Sequence, residues 1–541
     1  MHWYAGDNMT RFLEKYPFHL FLVAVYPVIF LLAENIESVR MGAGLRASLL
    51  LLTVALLAFL LSLLLTRDLR KSGITALVMV LVFFLFFFLL YAPAYRWLRE
   101  VSLAGHVLGR HRYLVPFTGL VVLALGLMTW RLSRKASPRF LKNFTLAANL
   151  VSLALILIPV ITIIAYSLKK QTASGLTRQD LPVLDQALKL PDQPPDVYYI
   201  ILDMHTSDQV LKELMAYDNS AFTTALRERG FFVSTCSRSN YASTQLSLTS
   251  SVNMAYLQDF TDSYKTSSLY PYFQSSRVRL AFENAGYLIY AFESGYPYTD
   301  LVDADHYFQP VTSTLDLLRY PGLTPFESLL MRVSAGQILF ETREGLSQQL
   351  QYIIDAAYVE YRDRILYTLD TLPQLAKEPG PKFVFAHILA PHDPFVFDAD
   401  GSTAWRRTPF ALNEDPEFAA GYGWDVYGPA YVDEIIYVHQ RVLAIIDQIM
   451  TTSATPPVII LQGDHGIPRL VVSDAQYEIY NAIYLGGETT ALYNNLSPVN
   501  NFRLVFNQVF GTQMELLEDL SYQFDPETET FIPFTSGLTC P

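Results

Sequence analysis

The sequence predicts two unlike parts: an α-helical transmembrane bundle, and after it an α/β domain built on a central, mostly parallel sheet. Three observations carry this. The first ~170 of 541 residues hold long runs of Leu, Val, Phe and Ala, each near the ~20 residues that a bilayer core requires. From Asp196 onward, short β-type runs alternate with amphipathic helical stretches, the pattern of strands joined by helices. Between the two lies a polar stretch ending in Pro191-Asp192-Gln193-Pro194-Pro195, which can neither continue a helix nor donate to a ladder. The expected division is therefore a transmembrane domain over 1–167, a linker over 168–195 and the α/β domain over 196–541.

Five apolar segments stand out: Tyr16–Leu32, Ala47–Leu65, Ile74–Tyr91, Leu114–Trp130 and Leu146–Tyr166. The first carries His19 and Pro27 yet is long enough to span. The opening residues Met1–Lys15 are polar, and no small-residue cleavage site follows the first apolar run, so a cleavable signal peptide is not indicated. One set of segment ends holds Arg11, Lys15, Arg67, Arg70, Lys71, Arg131, Arg134, Lys135, Arg139 and Lys142. The other holds Arg40, Arg46, Arg96, Arg99, Arg110 and Arg112. The richer set belongs in the cytoplasm, and an odd number of spans then puts the C-terminal domain outside; four or six spans would reverse this. The expected place is the plasma membrane and cell envelope.

The formal net charge of −12 belongs mainly to the second part, because the first is basic. An acidic, aromatic-rich exterior without a Lys/Arg block speaks against a nucleic-acid partner. The two cysteines, Cys236 and Cys540, are too few for a disulfide framework and lack zinc-site spacing. Two unrelated thiols are the simpler expectation, with one long-range disulfide the alternative outside the cytoplasm.

Each of the three clearest strands ends in potential metal ligands. Val197–Leu202 runs into Asp203. Lys382–Ala386 runs into His387, with His392 following in Pro391-His392-Asp393-Pro394. Val458–Leu461 runs into Gln462-Gly463-Asp464-His465-Gly466. A lone Asp after a strand is usually a turn residue, but three strands ending this way are hard to explain by turns. Sites in parallel sheets form at these carboxyl ends, and mixed carboxylate and imidazole ligands suit zinc or manganese better than calcium. A fourth element, Ser239 to Ser251, has the pattern of a loop entering a helix, with Asn240 or Ser243 as N-cap. A hydroxyl in such a first turn lies where backbone N–H groups favour an anion. Bound to a divalent cation, it becomes a nucleophile; taken alone, a Ser/Thr-rich helix start is merely a cap. His205 and His439 are candidates for the cleft wall or simply packed side chains, and Asp303, Asp305 and His306 form an acidic loop best explained as an exposed turn.

This order of strand-Asp, hydroxyl at a helix start, His-x₄-His-x-Pro and Gly-Asp-His-Gly resembles the alkaline phosphatase/sulfatase superfamily. Its membrane-anchored branch, with lipoteichoic acid synthases and phosphoethanolamine transferases, is most similar. The resemblance covers the whole chain in architecture and Val197–Arg469 in motifs. It implies that Asp203, Thr244, Asp464 and His465 hold one divalent metal, manganese or zinc with magnesium a further candidate. It also implies that Thr244 is the nucleophile, His392 the group that holds phosphoryl or protonates the leaving oxygen, and His387 a substrate-side support. Ser243 and Ser247 remain alternatives to Thr244. Met204 after Asp203 argues against a second metal, and Cys236 lacks the Cys-x-Pro-x-Arg pattern needed for a formylglycine sulfatase. The function implied is a membrane phosphotransferase moving a phospholipid-headgroup-type group through phospho-threonine to a glycan or polymer hydroxyl, with a phospholipid or lipid-linked glycan as partner. A phosphodiesterase, phosphatase or sulfatase-like hydrolase is the enzymatic alternative, and a non-catalytic membrane scaffold the other.

Overall fold

The computed structural model describes the chain apart from residues 1–2, 38, 85–86, 88–96, 99–100, 104–105, 108–110, 174–183, 185, 311–321, 405–423, 468–473, 488–489, 526–527, 529 and 536–541. It resolves into two compact units.

The first unit begins with α1 (Trp3–Lys15), which turns at Tyr16-Pro17-Phe18 into α2 (His19–Glu34). The two are bent by 82°. Four further helices follow: α3 (Leu45–Thr66), α4 (Leu69–Phe84), α5 (His111–Lys135) and α6 (Pro138–Ala173). Ala47–Leu65, Leu114–Trp130 and Leu146–Tyr166 each lie on a helix, as do Tyr16–Leu32 from His19 onward and Ile74–Tyr91 as far as Phe84. Three stretches are long and apolar enough to cross a membrane, Met41–Thr66, Tyr113–Lys135 and Pro138–Leu168, or four if the bent pair counts as one span. The five expected spans are not all covered by the described residues. α2 starts only after Pro17 and has 16 residues, and the second half of Ile74–Tyr91 falls largely outside the described residues.

Polar contacts show which ends of the bundle lie together. Glu14 at the end of α1 pairs with Lys142 on α6 at 3.0 Å, and its carbonyl accepts from Arg70 Nε of α4 at 2.8 Å. Asn149 of α6 accepts from the His19 backbone N–H at 2.7 Å and donates to the Leu13 and Tyr16 carbonyls. The start of α4 and the first part of α6 therefore meet the α1–α2 bend, and these neighbours come from the Lys/Arg-rich set of ends. At the opposite end Val28, Leu32, Ile36, Val39 and Ala47 form an apolar cluster with Ile163 and Tyr166 near the end of α6.

The unit also includes a segment the sequence does not place there: Thr314–Ala357. Its helix Pro325–Arg332 is started by a capping box between Thr324 and Glu327, with Pro325 in the first turn, a reciprocal arrangement that satisfies orphan N–H donors.

The second unit is organised by a seven-stranded sheet. Its strands in chain order are β1 (Val197–Leu202), β2 (Phe232–Val233), β3 (Leu288–Phe292), β4 (His306–Phe308), β5 (Lys382–Ile388), β6 (Val458–Gly463) and β7 (Asn481–Tyr484). The spatial order is β2-β7-β6-β1-β5-β3-β4. β1 runs parallel to both β5 and β6, with Leu202 opposite Ile388 on one side and Gly463 on the other; only β7 pairs antiparallel with its neighbours. All residues of β1, β5 and β6 are buried, as continuous β-branched and aromatic runs require when helices cover both faces. α7 (Thr244–Asn253) contributes Leu248 and Val252 to the same core as Tyr199 and Ile201 of β1, and α8 (Trp424–Thr452) packs with Met204 through Tyr427 and Tyr431. A hairpin, β8 (Ser521–Asp525) and β9 (Thr530–Phe534), closes the described chain.

At the amino end of the sheet Lys382 Nζ meets Asp196 Oδ2 at 2.7 Å, the lysine side chain only 2 % exposed. Burial raises the Asp196 pKa against the opposing pull of Lys382. Removing one partner of such a pair strands the other charge, a loss of about 3–5 kcal/mol. Lys382→Ala is expected to lower the thermal midpoint of the detergent-solubilised protein, and Lys382→Met combined with Asp196→Asn to recover most of it.

Candidate metal centre

The three central strands deliver their chemistry to one place. Asp203 follows β1, its backbone N–H donating to the Ile388 carbonyl at 2.9 Å. His387 lies one residue before the end of β5, opposite Ile201, so β5 is longer than the sequence suggests and His387 sits within it. Asp464 and His465 follow β6. Asp203, Asp464 and His465 are all buried and can present one ligand atom each within 4.8 Å of one another. His465 Nε2 is 3.7 Å from both Asp203 Oδ1 and Asp464 Oδ2, and His387 Nε2 is 3.2 Å from Asp203 Oδ2.

Local backbone demands explain the motif. A Cβ on Gly463 would stand 2.2 Å from the His205 carbonyl oxygen, and one on Gly466 would stand 1.9 Å from that of Ala475. Glycine at both positions lets the turn carrying Asp464 and His465 press against its neighbours. The turn after β1 is equally constrained: Met204 has φ 63°, an uncommon conformation for a side chain that large. It is braced by its N–H donating to Asp464 Oδ1 at 2.9 Å and by Tyr431 Oη donating to its carbonyl at 2.7 Å.

Protonation states follow from these contacts. His465 Nδ1 donates to the Gly466 carbonyl at 2.8 Å, which leaves Nε2 to face the two carboxylates. Burial disfavours the Asp203 carboxylate, yet the summed pull of His392, His387 and His465 outweighs it and holds the pKa below the ordinary range. Asp464 is pushed the other way, by burial first and by the Asp203 charge second. Asp203 Oδ1 and Asp464 Oδ2 are buried and accept no hydrogen bond among the described residues. Two adjacent carboxylate oxygens without donors, faced by an imidazole nitrogen that can give up its proton, fit a divalent cation.

The other expected residues are placed as follows. Thr244 is the first residue of α7 and is buried. Ser243 before it is extended and makes no side-chain cap; Ser247 lies a turn deeper, fully buried, its N–H donating to the Ser243 carbonyl. Asn240 does not cap α7. It accepts from the Val499 N–H at 2.9 Å and donates to the Leu520 carbonyl at 2.8 Å, so it serves the start of the helix Pro498–Val509 instead. The strand-like approach to α7 is fixed by Ser239 N–H donating to Tyr477 O and Ser521 Oγ donating to Ser239 O. His392 is part-buried, with Nδ1 2.5 Å from the Asp393 carbonyl.

His205 and His439 are buried against each other, Nε2 to Nε2 2.7 Å, with His439 stacked on Phe222. Burial lowers the His205 pKa to about 4. Asp303 accepts from Arg279 and Asp305 from the Ile289 N–H, structural tasks both. Cys236 is disulfide-bonded, against the simpler expectation of two free thiols. Cys540, the only other cysteine of the chain, lies outside the described residues. Two further residues escaped the sequence reading: Thr299, whose hydroxyl is 2.9 Å from His387 Nδ1, and Tyr431. Neither belongs to a motif; Tyr431 carries only a helical-face signal.

No family model matches the sequence, and no curated protein matches it. Among solved structures, the chain is similar to the integral membrane lipooligosaccharide phosphoethanolamine transferase A of Neisseria meningitidis, at 14% identity and TM-score 0.36 over 92% of this chain and 95% of that one. It is also similar to the C-terminal periplasmic domain of EcEptC from Escherichia coli in complex with Zn, at 12% identity and TM-score 0.38 over 61% of this chain and 86% of that one. A third is the phosphonate monoester hydrolase of Agrobacterium radiobacter, at 12% identity and TM-score 0.36 over 61% and 79%.

Two outcomes are expected for the centre. Asp464→Ala should lower divalent metal bound per purified chain several-fold relative to wild type, read by elemental analysis, while His439→Gln should not. A proton on Asp464 competes with the cation, and its raised pKa keeps that proton at higher pH than an ordinary carboxylate would. Metal retained through dialysis should therefore decline as the buffer is acidified, and Asp464→Asn should flatten that decline.

Proposed function

We propose that the protein is a membrane-bound, metal-dependent phosphotransferase that moves a phospholipid-headgroup-type phosphoryl group through phospho-threonine to a hydroxyl of a glycan or polymer. The observation that carries this reading is the convergence of Asp203, Asp464 and His465 at the carboxyl ends of β1 and β6, in a sheet onto which the helix opened by Thr244 is packed.

In this reading Thr244 Oγ is the fourth ligand and the nucleophile. A divalent cation at this site would neutralise charge on the phosphoryl oxygens and ease loss of the hydroxyl proton. Thr244 Oγ attacks phosphorus, the phosphorus–oxygen bond to the lipid alcohol breaks, and His392 delivers a proton to the departing oxygen. The first-turn N–H groups of α7, which lack helical acceptors, would hold the non-bridging oxygens. An acceptor hydroxyl then attacks the same phosphorus, displacing Thr244 Oγ and giving up its proton to His392. His387, fixed by Thr299, keeps the Asp203 carboxylate oriented.

Bound to the lipid plane, such an enzyme needs no soluble substrate. An extracytoplasmic site is supported by the cluster of basic segment ends on one face of the bundle, by the exit of α6 at the opposite end, and by the bonded Cys236, since disulfides persist in oxidising compartments. That same bond removes Cys236 from formylglycine chemistry. A scaffold would have no need to keep buried carboxylates without donors.

Incubation of the full-length protein with labelled phosphatidylethanolamine or phosphatidylglycerol, followed by mass spectrometry, tests the proposal. A headgroup-derived phosphoryl adduct is expected on Thr244, and Thr244→Ala should lose it with at least about a thousandfold fall in turnover. An adduct on Ser243 or Ser247 would move the nucleophile. Release of free phosphorylated headgroup in the presence of acceptors would make the protein a hydrolase.

A further inference from the structure

The segment Thr314–Ala357 lies far along the chain from the membrane helices, yet it belongs to their unit. Its described part begins at Gly322. Three contacts fix where it goes. Arg46, at the start of α3, binds Glu327 through Nε to Oε1 at 2.8 Å, and through its second nitrogen to Glu327 Oε2 and the Gly322 carbonyl. Phe326 is buried in the cluster of Val28, Leu32, Ile36, Val39 and Ala47, with Leu330 beside it. Further on, the Ala335 N–H donates to the Phe87 carbonyl at 2.7 Å, and Ala335 and Ile338 pack with Phe87, Leu98 and Leu114.

These partners share one end of the bundle. Leu32 is near the end of α2, Ala47 at the start of α3, Phe87 just beyond α4, Leu114 at the start of α5, and Tyr166 towards the end of α6. The opposite end is marked by Glu14, Arg70, Lys142 and Asn149. The helices Pro325–Arg332 and Gln337–Glu341 therefore lie across one end of the bundle, first over α2 and α3, then over α4 and α5. A chain segment so placed is at the depth where spanning helices leave the bilayer.

Its outward side mixes apolar side chains with uncharged polar ones, Thr342, Ser347, Gln348 and Gln349 being exposed too. Val333 is 47 % exposed and Tyr352 53 %, with Leu350 and Ile353 exposed as well. The acid that turns inward, Glu327, is neutralised by Arg46. Exposed aliphatic side chains interleaved with uncharged polar ones match the mixed chemistry of a headgroup boundary. Continuity with the apolar helix surfaces below it selects the occupant, and a tyrosine among aliphatic residues suits the headgroup boundary.

We infer that residues 322–353 form a membrane-interface strap, whose Val333, Leu350, Tyr352 and Ile353 side chains contact phospholipid at the headgroup–acyl boundary on the face where α6 ends. The inference depends on the bundle being membrane-embedded and is independent of the phosphotransferase reading.

Single-cysteine labelling of the full-length protein in phosphatidylcholine nanodiscs tests it, because Cys236 is disulfide-bonded and does not take the label. An environment-sensitive fluorophore is placed at Val333→Cys and Tyr352→Cys, with Leu57→Cys on α3 as the reference. Both strap positions are expected to be quenched at least roughly twofold more by a lipid with its nitroxide near the headgroup than by one with it near the chain end. Leu57 should show the reverse order. Strap positions quenched by neither lipid would mean water or protein covers them, and behaving like Leu57 would mean they lie in the acyl core; either overturns the inference. Loss of quenching at Leu57 itself would overturn the membrane-embedded bundle instead, and with it the strap. None of these readouts depends on turnover.

Discussion

Two carboxylates buried side by side at the ends of adjacent parallel strands set the terms for the second unit. Asp203 and Asp464 follow β1 and β6, which are locked in register with Leu202 opposite Gly463. Like charges at about 4 Å repel by roughly 4 kcal/mol even at an effective dielectric of 20, and burial adds a desolvation cost for each. The opposed shifts of the pair, Asp203 down and Asp464 up, express that conflict. A cation relieves it. Much of the nearby structure serves to hold the conflict in place: the left-handed Met204 turn, the Tyr431 brace, the two glycines that permit close approach, and the Gly466 carbonyl that fixes the tautomer of His465.

The same logic extends outward from the two carboxylates. Thr299 meets one nitrogen of His387, whose other nitrogen faces Asp203. The approach to α7 is held between Tyr477 and the β8 strand, so the first turn bearing Thr244 is set by backbone hydrogen bonds on both sides. In the proposed reaction a hydroxyl positioned this way would lose little freedom on meeting a phosphoryl group, the usual route by which positioning lowers a barrier. The first unit shows a different economy. Its helices are joined at one end by Glu14, Lys142 and Asn149, and at the other by apolar side chains together with a segment borrowed from much later in the chain.

Much of this was legible beforehand because it is local. β1, β5 and β6 are short continuous runs of β-branched and aromatic residues, and their period and length identify them without any partner. Ligand types at three strand ends pointed to one site because parallel strands deliver their carboxyl ends to the same edge. Where local signals misled, a competing partner was the cause. Asn240 has the chemistry of an N-cap but is engaged by Val499 and Leu520; α2 is shorter than its apolar run because Pro17 lies at the bend; β5 runs past Ala386 because Ile388 still has Leu202 to pair with.

The sequence by itself determined the two-part architecture, the sheet's central strands, and the identity of the side chains at their ends, since hydropathy, period and side-chain chemistry are properties of short stretches. Only the tertiary structure decided that Asp203, Asp464 and His465 share one point, that Cys236 is bonded, and that residues 322–353 cross the end of the helical bundle. Those outcomes depend on pairs such as Arg46 and Glu327 or Met204 and Asp464, separated by hundreds of residues. Their meeting is fixed by the packing of whole elements rather than by any pattern within one.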